Sequence, residues 1–428
     1  MDKKIAVARC HEIQIAIKGK EVARFESIPA IGMAVQLALH IRGLPIVDYE
    51  RVKLVASTVL GIPRLSVDRI VVLLEEIGFV KIQSTGKKIQ TILPTVPFFD
   101  DFYERIGGYL EDEAKLDEFE TLTLEIVDRL AMSPHNTDAL AKNLGVDRKA
   151  FNASIEIGEK GSFVLSRRSR SKTILLNPTY FSENADLFAD HVAKCGAFSV
   201  KKTLELIRAS QGWLLSLIER QGEIAGTKIS KEDINLLKRL AQEGVVKPPS
   251  INISHAGQSM FIFTPTPGSM NISPLKRDQY EKSLAIVSAL RQGQLLPNRF
   301  AIRSPGAVLY KLKTELKLRP TTDYGEQYKN LVHLRIAQLV PLANGYRQLE
   351  IIDTPDNREA LNIAYNLLEG GGGAAPDQLI DDDALKAMTG SQEYVESLVS
   401  SKMLREREKI SLSGESEYEI GQLLLEGF

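Results

Sequence analysis

Three helix-ending glycines stand at equal spacing in this sequence: Gly78 in EEIGFVKI, Gly161 in GEKGSFVL and Gly244 in AQEGVVKP, 83 residues apart both times. Each closes a helical apolar pattern and opens an apolar run of strand character. A fixed period of this kind points to one supersecondary unit used repeatedly.

The stretch Ile31 to Ile92 shows what the unit contains. Ile31, Ala34, Val35, Ala38 and Leu39 recur at helical spacing before a stop at Gly43. Asp48 caps a second helix carrying Val52, Val55 and Val59, and Ser66 is expected to cap a third with Ile70, Leu73, Leu74 and Ile77 on one face. Phe79 to Ile82 then reads as a strand, Ser84 to Lys87 as a turn, and Ile89 to Ile92 as a second strand. In the third unit Ser230 and Asp233 form a capping-box pattern, His255 to Gln258 turn the hairpin, and the middle helix is short or missing around Glu223–Lys228. A fourth unit runs through a helix at Tyr324–Leu339 into a hairpin turned by Asn344-Gly345. In a fifth, Asp356 and Glu359 box a helix over Ala360–Leu368, with Gly370–Gly373 as an internal loop. Ser391 caps a helix carrying Val395, Leu398 and Val399, and a hairpin follows from Ile410 through Ser413–Ser416 to Ile420. Near the N-terminus, Ile13, Ile15 and Ile17 alternate and Lys18-Gly19-Lys20 turns towards Val22, so a small hairpin is expected there.

Three helices followed by a hairpin resembles a winged helix-turn-helix. The resemblance implies an α+β, mainly helical fold: an array of about five winged-helix units, each three helices plus a β-hairpin wing. The expected divisions are 1–97 (with the N-terminal hairpin), an acidic helical connector over 98–117, then 118–197, 198–269 (degenerate), 270–354 and 355–428 (acidic).

Charge is distributed unevenly along these divisions. The net charge of the 428 residues is −1, yet residues 1–97 carry +5, 98–130 carry −8, 275–355 carry +6 and 356–428 carry −9. A chain that coats nucleic acid along its whole length would be basic throughout, so any such contact is local. Two distant cysteines, Cys10 and Cys195, form no disulfide framework, and a reducing cytoplasm is the default. Ile28 to Ile41, the longest apolar stretch, is interrupted by Gln36 and His40 and falls short of the ~20 residues a membrane span needs. No export signal follows Met1-Asp2-Lys3-Lys4. A soluble, cytoplasmic protein without membrane contact is expected.

The most specific motif is Thr137 to Ile155, TDALAKNLGVDRKAFNASI, which resembles the helix-turn-helix of bacterial DNA-binding proteins. Ala141 stands where two helices cross, Leu144-Gly145-Val146 makes the turn and Asp147 caps the second helix. The resemblance implies that Arg148, Lys149 and Asn152 face base edges in the major groove. Arg167, Arg168, Arg170 and Lys172 follow on a Ser-rich hairpin tip, where cations reach backbone phosphates. A solvated loop is the plainer alternative. Weaker counterparts in the first unit are Arg64 and Arg69 on its third helix and Lys87 and Lys88 at its wing. Lys311, Lys313, Lys317 and Arg319, read as one short helix, do not gather on one face and count as ordinary surface cations. The acidic fifth unit, with Glu415, Glu417, Glu419 and Asp381–Asp383, suits a protein partner better than DNA.

Enzyme signatures are missing from the sequence: it has no phosphate-binding loop, nucleophile elbow or HExxH zinc motif. Cys10-His11 with His191 and Cys195 offers four zinc ligands of two types, but isolated pairs are more often packing and surface residues. No metal or cofactor is expected, and Trp213 reads as core. The expected function is non-catalytic binding of double-stranded DNA, as a regulator or architectural component, mainly through the second unit. The rival is a structural adaptor whose units dock protein partners, since fold alone does not settle function. On the first reading, deleting residues 356–428 leaves DNA affinity intact or raises it.

Overall fold

A computed structural model of the chain describes all residues except 19, 21, 87, 170–171, 185–196, 254–256, 265–272, 298–299, 322–324, 370–391 and 426–428. The fold is α+β and mainly helical, with small antiparallel sheets. It divides into an N-terminal unit, residues 1–180 with 273–276, and a C-terminal unit, residues 181–272 with 277–428.

The N-terminal unit begins with α1 (Lys3–Ile17), capped by Asp2, whose carboxylate accepts the N–H groups of Lys4 and Ile5. The expected N-terminal hairpin is therefore not formed. Every side chain from Ala6 to Ile17 is buried. A helix covered on all sides shows no polar stripe, and the alternating isoleucines only sample its different faces. Arg9, buried within α1, pairs with Glu12 at 3.0 Å and with Asp128 at 3.2 Å. Gly32 lets α2 (Ser27–Ile41) approach α1 closely, because a Cβ there would lie 2.7 Å from the Cys10 carbonyl oxygen.

Two copies of one connectivity surround α1. The first is α2, β1 (Val47–Asp48), α3 (Tyr49–Thr58), α4 (Arg64–Glu76), β2 (Val80–Thr85) and β3 (Lys88–Pro94), with strand order β1-β3-β2. Asp48 caps α3 as its sequence indicates. Ser66 does not cap α4, which starts two residues earlier behind Pro63. Acidic residues 98–117 supply α5 (Asp100–Tyr109), which packs on α1, and a π-turn over Leu110–Ala114. The second copy is α6 (Glu118–Met132), β4 (His135–Asn136), α7 (Thr137–Leu144), α8 (Arg148–Gly161), β5 (Leu165–Ser169) and β6 (Lys172–Leu176), with order β4-β6-β5. The two-residue strand opposite the hairpin is matched in both, Val47 to Ile92 and His135 to Leu175. Glu120 of α6 joins the copies: its buried Oε1 accepts the N–H groups of Glu26, Ser27 and Ile28 at 2.8, 2.7 and 2.9 Å, at the start of α2.

The C-terminal unit contains a third copy: α9 (Phe198–Arg208), β7 (Trp213–Leu214), α10 (Leu215–Gln221), α11 (Lys231–Gln242), β10 (Ser250–Ile253) and β11 (Gly257–Ile262). Its middle helix is α10. Residues 223–228, around which the sequence shows that helix short or missing, form a hairpin of β8 (Glu223–Ile224) and β9 (Thr227–Lys228). The Ser230–Asp233 capping box is present, and Trp213 is buried. Next come α12 (Arg277–Gln294), α13 (Pro305–Glu315), α14 (Lys329–His333), β12 (Ala337–Pro341) and β13 (Arg347–Ile351). The helix expected over 324–339 shrinks to α14 and a preceding 3-10 turn, because Ala337 already pairs with Ile351 across the hairpin. Lys317 and Thr321 bridge to β13, so Lys317 and Arg319 lie in extended chain beyond α13.

The final segment departs most from expectation. Here α15 (Pro355–Glu369) begins behind Thr354, whose Oγ1 accepts the Asn357 N–H, while Asp356 is buried and accepts a hydrogen bond from Gln279. Val395 belongs to a strand, β14 (Gln392–Val395), which joins the third copy's sheet in the order β14-β10-β11-β7. α16 (Ser397–Arg407) follows, and the expected second hairpin is helix α17 (Gly414–Leu425). Ser413 there acts as a helix cap, its hydroxyl accepting the Ser416 N–H, rather than as a turn residue. Gly370–Gly373, Asp381–Asp383 and Ser391 lie outside the described residues.

Two outcomes follow from this packing. Glu120→Ala strands three amide donors, two of them buried, and is expected to cost about 3 kcal/mol, with Glu120→Gln costing less because one acceptor oxygen remains. Burial and the nearby Glu120 push the Cys10 thiol up, and its side chain is fully buried. In a Cys195→Ser background, thiol labelling therefore reports opening of the N-terminal unit; E120A should accelerate it about a hundredfold and lower the urea midpoint, and an unchanged midpoint would refute the staple. Separately, residues 355–428 are not dispensable: α15 contributes Leu361, Ala364 and Leu367 to the C-terminal core, and β14 covers a sheet edge. A 1–354 fragment should lose cooperative unfolding of that unit and become protease-sensitive there, so the tail cannot be removed to isolate its effect on DNA affinity.

Candidate nucleic-acid interface

The helix pair of the second copy is built by local signals. Asn136 caps α7 by accepting the N–H groups of Asp138 and Ala139, and Gly145 ends that helix at φ +63°, the left-handed conformation that suits glycine. Asp147 then caps α8 through the Lys149 and Ala150 N–H groups. The inward face of α8 carries Phe151, Ser154, Ile155 and Gly158, all buried. Ser154 donates to Thr123 of α6 at 3.0 Å. Burying Phe151 alone is worth about 2–3 kcal/mol, which fixes what remains outside.

The outward face carries Arg148, Lys149 and Asn152, all exposed. Arg148 is held by Asp138 at 2.5 Å and lies over the Phe151 ring, 5.7 Å from its centre. α8 packs against β5 and α7 against β6. On that hairpin Arg168 faces Thr173 and Lys172 faces Ser169, both cations exposed, whereas Arg167 is half-buried opposite Ile174. Arg170 lies outside the described residues. Among the described residues, Lys149, Arg168 and Lys172 have no ion-pair partner. Lys142 in the last turn of α7 joins them, exposed and unpaired. Its signal in the sequence is its place five residues before the Asp147 cap, beside the helix crossing.

The first copy has the same connectivity with a different surface. Arg64 pairs with Glu50 at 3.3 Å and Arg69 with Glu26 at 3.5 Å. Lys53 pairs with Asp68 at 2.8 Å, and Tyr49 also donates to Asp68. Burial opposes the charge on Asp68, yet these two hydrogen bonds hold its carboxyl below the usual range, so α4 keeps a fixed negative charge. Lys88 is exposed, and Lys87 lies outside the described residues. Leu65 on α4 is 94 % exposed, with Val72 on the same helix and Leu54 on α3 also in solvent.

Elsewhere the basic and acidic clusters are engaged only in part. Lys311 pairs with Glu315 at 3.4 Å, and Lys313 sits over the Tyr365 ring. Glu419 is buried, its carboxylate accepting the Ser199 and Val200 N–H groups at 3.1 and 3.2 Å from the start of α9. Glu415 is exposed, and Glu417 stands 4.0 Å from Arg239. No group of three or more histidine, cysteine, aspartate or glutamate side chains able to hold a metal ion occurs among the described residues. His191 and Cys195 lie outside them. Among those residues no helix is long and apolar enough to cross a membrane. No protein-family model, curated protein or solved structure matches the chain.

Proposed function

We propose that the repeated copies are winged-helix units and that the chain is a non-enzymatic, cytoplasmic DNA-binding protein, a regulator or architectural component. Duplex DNA is contacted mainly through the second copy. The observation that carries this reading is the set of unpaired cations on α7, α8 and the β5–β6 hairpin: Lys142, Lys149, Arg168 and Lys172. Unpaired surface cations gain most from phosphate, because no existing ion pair has to break and counterions are released. α8 enters the major groove with Lys149 and Asn152 towards base edges, while Arg148, oriented by Asp138, exchanges that partner for a phosphate or guanine. The hairpin follows the adjoining backbone.

The first copy supports a second, adaptor-like role. Its α4 surface combines paired arginines, a fixed carboxylate at Asp68 and exposed Leu65 and Val72. Apolar side chains in solvent on a helix flanked by balanced charge suit a protein partner better than phosphate.

Fluorescence anisotropy with a random duplex across a salt series tests the reading on the full chain. The combined change Lys149→Ala, Arg168→Ala and Lys172→Ala should weaken binding at least tenfold and shallow the log–log salt slope by ~0.9 for each phosphate that the protein no longer neutralises. Arg64→Ala with Arg69→Ala should leave both nearly unchanged. Absence of binding at low salt, or binding indifferent to the triple change, would overturn DNA recognition by the second copy and leave the adaptor role.

A further inference from the structure

We propose that the C-terminal unit binds a small amphipathic carboxylate, an acid group on an apolar chain or ring, in a cavity of about 400 Å³. The cavity lies where Val308 of α13, Leu339 of β12, Leu349 of β13 and the extended residues Leu318–Thr321 meet. Ile302 and Leu349 belong to the buried core, whereas Val308, Leu318 and Leu339 pack on it only in part. The hollow is therefore a continuation of the core that the side chains of the described residues leave unfilled. Its volume falls in the range of pockets that enclose small organic ligands.

Polar groups on the lining define the ligand. Arg303 and Arg319 are exposed, and among the described residues neither has an ion-pair partner. Among the described residues of the lining there is no aspartate or glutamate. Two uncompensated guanidinium groups beside an apolar wall select an anion, and their planar donor forks match a carboxylate. Gln327 supplies a third, independent feature. It lines the cavity, is only 5 % exposed, and its side-chain Oε1 has no hydrogen-bond partner. A buried amide oxygen left unsatisfied is costly, and a ligand hydroxyl or N–H reaching past the apolar wall would satisfy it. An apolar body, an acid group at the arginines and room for one donor near Gln327 describe the ligand class. The inference is independent of DNA binding by the second copy.

Isothermal titration of the full chain with decanoate and, separately, decan-1-ol tests the assignment. Decanoate should bind one to one, at least tenfold tighter than the alcohol. Changing Arg303→Gln together with Arg319→Gln alters only exposed side chains and should erase that preference while leaving the thermal midpoint unchanged. Val308→Trp fills the hollow and should abolish binding of both probes. No decanoate binding, equal affinity of the unaltered chain for acid and alcohol, or a preference that survives the double arginine change would each overturn the proposal. The arginine variant decides the question even where Val308→Trp fails to fold.

Discussion

One oxygen of the buried Glu120 carboxylate accepts hydrogen bonds from three consecutive backbone N–H groups at the start of α2, those of Glu26, Ser27 and Ile28. α2 has no side-chain cap of its own. Its first amides and the Glu120 carboxylate would each be costly to bury alone, and together they satisfy one another. The positive end of the α2 dipole adds to the attraction. Because α2 opens the first copy and Glu120 sits in the first turn of α6, the contact fixes the two copies of the N-terminal unit to each other. α1 completes the arrangement through Arg9, which reaches Asp128 on the same α6.

The C-terminal unit repeats the device with different letters. α9 also lacks a side-chain cap, and Glu419 of α17 supplies one from 220 residues away. Sequence patterns hid both contacts for the same reason. Glu120 stands three residues after the Asp117 cap of α6, the position from which a glutamate ordinarily folds back onto its own helix. Glu419 stands in an acidic run that reads as the exposed hairpin of a unit suited to a protein partner. Nothing local distinguishes a carboxylate that caps a distant helix from one that faces water.

Where structure is set by neighbours in sequence, the residues declare it. Asp48, Gly145, Asp147 and the Ser230–Asp233 box act at the positions their spacing indicates. The α7–α8 pair, and hence the placement of Lys149 and Asn152 in solvent, was legible because Phe151, Ser154 and Ile155 fix the inward face. α1 was not legible, since a helix buried all round has no amphipathic period, and β14 was not, since its partner β10 lies about 140 residues away in sequence. Counting cations also does not reveal that Arg64 and Arg69 are paired. Their partners Glu50 and Glu26 come from other turns and other elements, so only geometry separates a paired arginine from a free one.

That separation explains how similar copies can present opposite surfaces without a change of fold. In the first copy Glu50, Glu26 and Asp68 hold Arg64, Arg69 and Lys53, while Arg51 of α3 stays exposed and Leu54, Leu65 and Val72 are also in solvent. In the second, Asp138 takes Arg148 and Glu156 takes Lys160, and Lys142, Lys149, Arg168 and Lys172 stay in water. Cores built from Val67, Ile70 and Leu74 in one copy and Phe151 and Ile155 in the other leave those outward positions free to vary. The third copy gives up its outer surface in another way: β14 covers the edge of its sheet at β10, and Lys238 of α11 is drawn to Glu219 and Glu408. A covered strand edge cannot template pairing with another chain, and a hairpin strand flanked on both sides cannot serve as a free wing. The copies therefore differ in what the neighbouring chain lays over them: among the described residues the second keeps Lys142 and Lys149 on its helices and Arg168 and Lys172 on its hairpin without an ion-pair partner, and the first keeps Arg51 on α3 and Lys81 and Lys88 on its hairpin in the same state.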